Sequence, residues 1–244
     1  HDKWDELTHL SPKANYLHEE IQQLKTLKEG RSILRKLYDH GVGQFTKPQK
    51  VFPNKIVIFE GLHPFYISAK RNLFDLKVFI EPEESLRLHW KISRDIKTRG
   101  YSKEKVLNQL ELRKSDSDKY IRSQASFSDI KMSYYPIAEI KDIGNQEKVK
   151  IALKIELETN IDINNLIDKM TAHTTLKVAH DYDVDNQILD VSGTISRKEI
   201  EHLIYTIIGE YDELVENASY EKDLNGFLQL FCIYCILQKV KNQA

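Results

Sequence analysis

The chain has 244 residues, 41% of them apolar and 30% charged, with a net charge of −1. That balance excludes the basic excess of a nucleic-acid binder, no apolar run approaches the roughly 18 residues of a membrane span, and two cysteines, Cys232 and Cys235, cannot build a disulfide framework. The charged opening His1-Asp2-Lys3-Trp4-Asp5-Glu6 lacks the apolar core of a signal peptide, so a reducing, cytoplasmic setting is expected.

Ser11-Pro12 is a helix start: a side-chain cap, then a proline where no N–H is needed. Leu17, Ile21, Leu24 and Leu27 follow at helical spacing, and Gly30 ends the helix. Ile33 to Tyr38 alternates as a short strand running into a turn at Gly41 and Gly43. Lys55 to Phe59 reads as a buried strand and Leu76 to Ile80 as another. Glu83 to Arg99 is a helix. Its Leu86, Leu88, Trp90, Ile92 and Ile96 form a broad apolar arc, while Lys91, Arg94 and Asp95 share an opposite arc of roughly 100°. Arg99 drifts toward the apolar edge in the last turn, and Gly100 stops the helix. Ser102 caps a second helix carrying Val106, Leu107 and Leu110, and Asp129 to Tyr135 returns to a strand. Strands alternating with helices predict an α/β domain over residues 1–140, with a mostly parallel sheet flanked by helices.

The pattern changes near Lys141. A strand (Val149–Leu157), a short helix (Ile163–Met170) and two strand-like runs (Leu176–His180, Gln187–Val191) follow. Ser196 opens a helix with Ile200, Leu203, Ile204 and Ile207, and a last helix from Leu224 to Val240 is apolar nearly all round. Residues 141–244 are expected to form a separate α+β portion. The last helix, or the sheet edge near Val149–Leu157, is expected to pair with a second copy as a homodimer. Cys232-Ile-Tyr-Cys235 lies inside that apolar helix, so it reads as core rather than as a redox pair. His173, His180 and His202 have no metal-like spacing.

Chemistry gathers in the first portion. In Val57-Ile58-Phe59-Glu60-Gly61-Leu62-His63-Pro64 an apolar run ends on a single acid. An acid at a strand tip is how phosphate-handling α/β proteins place a group beside Mg²⁺ and ATP, so Glu60 is a candidate Mg²⁺ ligand, direct or through water. Lys91, Arg94, Asp95 and Arg99 follow on one helix. Phosphoryl transfer needs cations against oxygens that gain charge, and the guanidinium fork binds two of them at once; an Asp among them can fix an Arg or meet a metal. Ordinary i,i+4 pairs on a solvated helix face would look the same. Tyr38-Asp39-His40, with Gly43 after it, offers a Tyr and a His around a turn, and Arg113 ends the second helix. The turn could grip a polyol or a base, and Arg113 could bind a sugar phosphate.

These segments resemble the phosphoribulokinase/uridine kinase family. Pro12-Lys13-Ala14-Asn15 resembles its P-[RK]-A-N element, Tyr38-Asp39-His40 its Y-[DN]-H-x-T-G turn and Val57 to Tyr66 its I-E-G-L-H-P strand end. Trp90 to Gly100 resembles its W-K-I-x-R-D-x-x-x-R-G helix, and Asn225-Gly226-Phe227-Leu228-Gln229 a C-terminal N-G-x-x-Q segment of the dimeric type. Lys36 and Val42 depart from the proline and threonine usual around the turn. The resemblance implies a P-loop kinase fold that uses ATP and Mg²⁺ to phosphorylate the C1 hydroxyl of ribulose 5-phosphate. Carried over by position, Glu60 is the metal-side acid, and Lys91, Arg94, Asp95 and Arg99 are the catalytic set. Tyr38, His40, His63 and Arg113 are the sugar-phosphate contacts. The family's G-x-x-x-x-G-K-[ST] loop and its general-base Asp precede the P-[RK]-A-N element. The chain has no Gly-Lys pair, so an N-terminally truncated kinase is expected. Two other readings stay open: a uridine-type nucleoside kinase, and a non-catalytic kinase-like subunit that binds a sugar phosphate.

Overall fold

The computed structural model describes residues 8–39, 42–145, 147–208 and 219–241. They divide into two compact units, His1–Asp75 with Leu112–Phe127, and Leu76–Glu111 with Ser128–Ala244.

In the first unit the expected opening helix comes in two pieces. Ser11 caps a 3-10 turn over Pro12–Ala14, and Asn15 is extended (φ −127°, ψ 147°). Helix α1, Leu17–Lys28, then starts afresh and buries Leu17, Ile21 and Leu24, three positions on one face. Gly30 takes φ 75°, the left-handed conformation that ends a helix at little cost in glycine. Strand β1 (Ile33–Arg35) pairs antiparallel with β4 (Gln49–Val51), and β2 (Tyr38–Asp39) with β3 (Gln44–Phe45). The buried strand expected at Lys55–Phe59 is absent: the segment is irregular, with Val57 47% and Ile58 82% exposed. A strand exists through its hydrogen-bonded neighbours, and among the described residues none pairs with this run. Helix α2 (Ser68–Arg71) follows.

The second unit holds a five-stranded sheet in the order β5-β6-β7-β9-β8. Its strands are β5 (Val78–Ile80), β6 (Ile130–Pro136), β7 (Ile151–Glu158), β8 (Lys177–Tyr182) and β9 (Asn186–Ser192). The expected α/β character holds. β5 and β6 are parallel, and the crossover between them carries helices α3 (Glu84–Arg99) and α4 (Lys103–Asp116). Antiparallel pairing enters with the strands after residue 141. The division expected at 140/141 does not follow the compact units, because β6 pairs along its whole length with β7. β7 also pairs with β9, so the expected free edge near Val149–Leu157 is an interior strand.

Alternation on β6, β7 and β9 sends Met132, Ile155 and Leu189 into one row of the core. Helices α5 (Asn164–His173), α6 (Arg197–Ile208) and α7 (Asp223–Lys241) add Leu166, Leu203 and Phe227 to the same cluster. Ser196 and Glu199 form the reciprocal cap of α6. Helix α7 buries Phe227, Leu230, Phe231, Tyr234 and Leu237 in its own chain's core, while Leu228, Cys232 and Ile233 are partly buried and Val240 is exposed. Burial pushes the Cys232 thiol up to about 11 and raises Cys235 as well, as expected of core thiols.

The Asn-Gly-x-x-Gln stretch has a structural account. Tyr134 donates to Asn225, Gln229 accepts from the Glu221 amide, and a Cβ on Gly226 would run into the Glu221 carbonyl and Ile200. Glycine there lets α6 and α7 close on each other. Among the described residues no helix is long and apolar enough to cross a membrane.

Candidate functional site

Each unit gathers part of the expected chemistry. In the first, Glu60 is exposed on an irregular loop rather than at a strand tip, and it has no hydrogen-bond or ion-pair partner among the described residues. No group of three or more His, Cys, Asp or Glu able to hold a metal occurs among them. A lone carboxylate still fits Mg²⁺, which keeps several waters and takes one or two carboxylates with substrate phosphates.

Behind the loop lies a buried polar cluster. Lys70, on α2, is almost wholly buried; its Nζ donates to the Glu20 carboxylate and to the His63 carbonyl at 3.2 Å. Arg35 approaches the same Glu20 at 3.5 Å, and Lys70 sits 4.5 Å from the centre of the Phe59 ring. Burial lowers the Lys70 pKa against the hydrogen bond and charge of Glu20.

His63 differs from its expected place as a substrate contact. Its side chain is buried, with its ring packed edge-on against Tyr66 at 5.9 Å, and neither ring nitrogen makes a hydrogen bond of ordinary geometry. Burial lowers its pKa, and the Lys70 charge adds to this against the pull of Glu20. The unfolded chain therefore takes up this proton more readily. Stability present above pH 6.5 is expected to fall as pH drops toward the folded value. Urea midpoints near pH 7.5 and near pH 5 should show a smaller loss in His63→Phe than in the wild type. Equal losses would assign the pH dependence to other groups.

In the second unit, α3 keeps its predicted length to within one residue, and Gly100 ends it at φ 64°. Leu86 and Ile92 are fully buried as expected. Asp95 was expected on the polar arc, yet its side chain is 0% exposed. The cations themselves cover it. Lys91 Nζ donates to one carboxylate oxygen at 2.9 Å; Arg94 reaches the other through Nε and Nη2, both at 3.0 Å, and Arg99 Nη1 approaches that oxygen at 3.3 Å. Burial alone would raise the Asp95 pKa. Hydrogen bonds from Lys91 and Arg94, with their charges, outweigh it and hold the carboxyl below the usual range. Asp95 is thus an anchor for three cations. The Arg94 and Arg99 side chains remain 55% and 52% exposed, and each guanidinium keeps N–H donors that Asp95 does not use.

Neighbouring contacts fix the helix. Ser93 donates to the Asn145 carbonyl at 2.7 Å, His89 accepts from the Gly144 amide at 3.2 Å, and a Cβ on Gly144 would strike Ile92. Of the other expected contacts, Tyr38 is half-exposed on β2, its ring edge-on to Phe45 at 5.3 Å. Arg113 is half-buried near the end of α4, and His40 lies outside the described residues. Lys70, Glu20 and Arg35 gave no sequence signal, because they meet across 15 to 50 residues of chain.

The family model described as Phosphoribulokinase / Uridine kinase family matches residues 2–141. A phosphoribulokinase of Synechocystis sp. is 39% identical over 136 residues, 56% of this chain and 41% of that protein. A chloroplastic phosphoribulokinase of Spinacia oleracea is 36% identical over 151 residues, 62% of this chain and 38% of that protein. The chain thus spans about two fifths of the length of these curated relatives. A solved phosphoribulokinase from Rhodobacter spheroides matches in fold with a TM-score of 0.62, covering 86% of this chain and 76% of that one at 22% identity. The matched residues hold both Glu60 and the cations gathered on Asp95, and the chain belongs to the Phosphoribulokinase / Uridine kinase family.

Proposed function

We propose that the protein transfers the γ-phosphoryl group of ATP to a hydroxyl of a sugar phosphate, with ribulose 5-phosphate as acceptor and the 1,5-bisphosphate as product. The observation that carries this reading is the buried Asp95 holding Lys91, Arg94 and Arg99 together, with two guanidinium groups half-exposed. The names of the relatives that share this stretch support the acceptor. In the transfer the acceptor oxygen bonds to the γ-phosphorus, the bond to the β–γ bridging oxygen breaks and ADP leaves with that electron pair; the hydroxyl proton passes to a base. Arg94 and Arg99 are assigned to phosphoryl oxygens as charge spreads over them. Lys91, largely covered, adds positive charge beside Asp95.

Mg²⁺, when bound with ATP, neutralises phosphate charge, and Glu60 is the residue assigned to hold it, directly or through its waters. Tyr38, His40 and Arg113 are proposed as sugar-phosphate contacts. His63 is proposed to support that contact surface from beneath, since its ring is buried.

An ADP-release assay on the full gene product with ribulose 5-phosphate tests the function. Turnover with uridine in place of sugar phosphates would move the protein to the nucleoside-kinase branch. No turnover with any pentose, heptose or nucleoside acceptor would remove the kinase reading. A homodimer belongs to the same proposal and rests on the family alone. Light scattering at micromolar concentration should give about twice the 28.6 kDa chain mass, and a mass of one chain would remove it.

A further inference from the structure

The loop that carries Glu60 has no strand or helix to satisfy its backbone. Three side chains do so instead. Gln124, 1% exposed, donates to the Leu62 carbonyl at 2.9 Å and accepts from the Phe65 amide at 2.8 Å. It also donates to the Tyr120 carbonyl at 2.6 Å, so both of its N–H donors are used. Lys70, also 1% exposed, holds the His63 carbonyl at 3.2 Å, and Arg71 holds the Phe65 carbonyl at 3.3 Å.

We propose that Gln124 and Lys70 are positioning residues, which fix the backbone of Leu62–Phe65 and so set the place from which Glu60 presents its carboxylate. The proposal rests on the kinase reading, in which Glu60 meets the metal–nucleotide. Two observations support a positioning role over simple packing. Glu60 is exposed and makes no hydrogen bond or ion pair among the described residues, so the backbone beneath it governs its placement. Lys70 is a costly way to fill a core: a buried charge loses hydration, and an apolar side chain of similar volume is often neutral or better for stability. What the lysine supplies and a methionine cannot is a donor to the loop carbonyl, with Glu20 holding the charge in place.

The test is a double-mutant cycle on the full gene product. Gln124→Met keeps the volume and removes all three hydrogen bonds. A displacement of about 1 Å at a catalytic group can cost about 10²-fold in rate, so kcat should fall by about 10- to 100-fold, the Mg²⁺ concentration for half-maximal rate should rise, and KM for the sugar phosphate should change less than about twofold. Glu60→Gln combined with Gln124→Met should be no slower than Glu60→Gln alone, because one acts through the other. Binding of Mn²⁺–ATP, followed by electron paramagnetic resonance, should weaken in both single variants without any need for turnover. Multiplying losses in the double variant, or a kcat loss with unchanged metal dependence, would overturn the proposal.

If Gln124→Met does not fold, Lys70→Met made together with Glu20→Gln releases the same loop from its other side without leaving the Glu20 charge facing the lost ammonium. The cycle with Glu60→Gln then decides in the same way. A wild-type protein that binds no Mn²⁺–ATP and turns over no acceptor would remove the kinase reading and this inference with it. A wild type that turns over while the cycle is multiplicative removes the inference alone.

Discussion

Asp95→Asn is expected to lower kcat by about 10²–10³-fold, the cost typical of losing a charge contact made in the transition state. The amide keeps the shape of the carboxylate but not its charge, and one of its two heteroatoms becomes a donor. Lys91 and Arg94 hydrogen-bond to those two oxygens and Arg99 forms an ion pair with one of them, so one substitution loosens three cations at once. Arg94→Ala removes only one of them and should cost more than tenfold. Arg94→Ala should move stability little, because Arg94 is half-exposed and its loss leaves Asp95 paired with Lys91 and Arg99. Asp95→Asn should lower the melting temperature, because the carboxyl held below its usual range stabilises the fold and the largely covered Lys91 loses its partner. Steady-state kinetics against both substrates, with thermal melts of each variant, measure this directly. If kcat is unchanged, the cluster is an ordinary charged helix face, and the kinase reading loses its main support.

The same cluster shows what a sequence can and cannot display. Helix α3 was readable because its information is local: Leu88, Ile92 and Ile96 recur every four residues, and Gly100 stops the chain where a left-handed residue is needed. Asp95 was placed on the correct helix with the wrong exposure. A wheel sorts side chains by polarity, but it does not show three long cations folding over a short acid. Lys55–Phe59 failed for a different reason. Its apolar residues are those of a buried strand, but a strand is made by neighbours that a single run does not contain.

Gln124 and Lys70 were invisible because their partners are remote or of no special type. Gln124 reaches back 62 residues to Leu62 and 59 to Phe65, and the atoms it meets are backbone. No motif marks a residue that bonds only to carbonyls and amides. The Asn225-Gly226-Gln229 segment is the converse: a visible motif whose contacts with Tyr134, Ile200 and Glu221 account for it as packing and capping between elements. The edge expected near Val149–Leu157 was misjudged because the strands that cover it on both sides lie elsewhere in the sequence.

Glu60→Gln is expected to slow turnover by about 10²-fold at low Mg²⁺ and to recover in part when Mg²⁺ is raised. The reason lies in what Glu60 lacks. It has no cation beside it and no hydrogen-bond donor among the described residues, so nothing in the fold uses its charge. An exposed carboxylate of this kind is available to a divalent ion, and Mg²⁺ needs few protein ligands when phosphates and water complete its shell. Glutamine keeps the length and one carbonyl oxygen while removing the charge that favours the ion. The defect should therefore appear as a higher Mg²⁺ requirement with a nearly unchanged KM for the sugar phosphate. Fold stability should not change, since an exposed, unpaired side chain contributes little to it. Rates measured across a Mg²⁺ titration separate the outcomes. Parallel curves for the two proteins, with the variant slower by the same factor at every Mg²⁺ concentration, would mean that Glu60 acts on the reacting groups rather than on the metal. Identical curves would leave it a surface acid with no part in the chemistry.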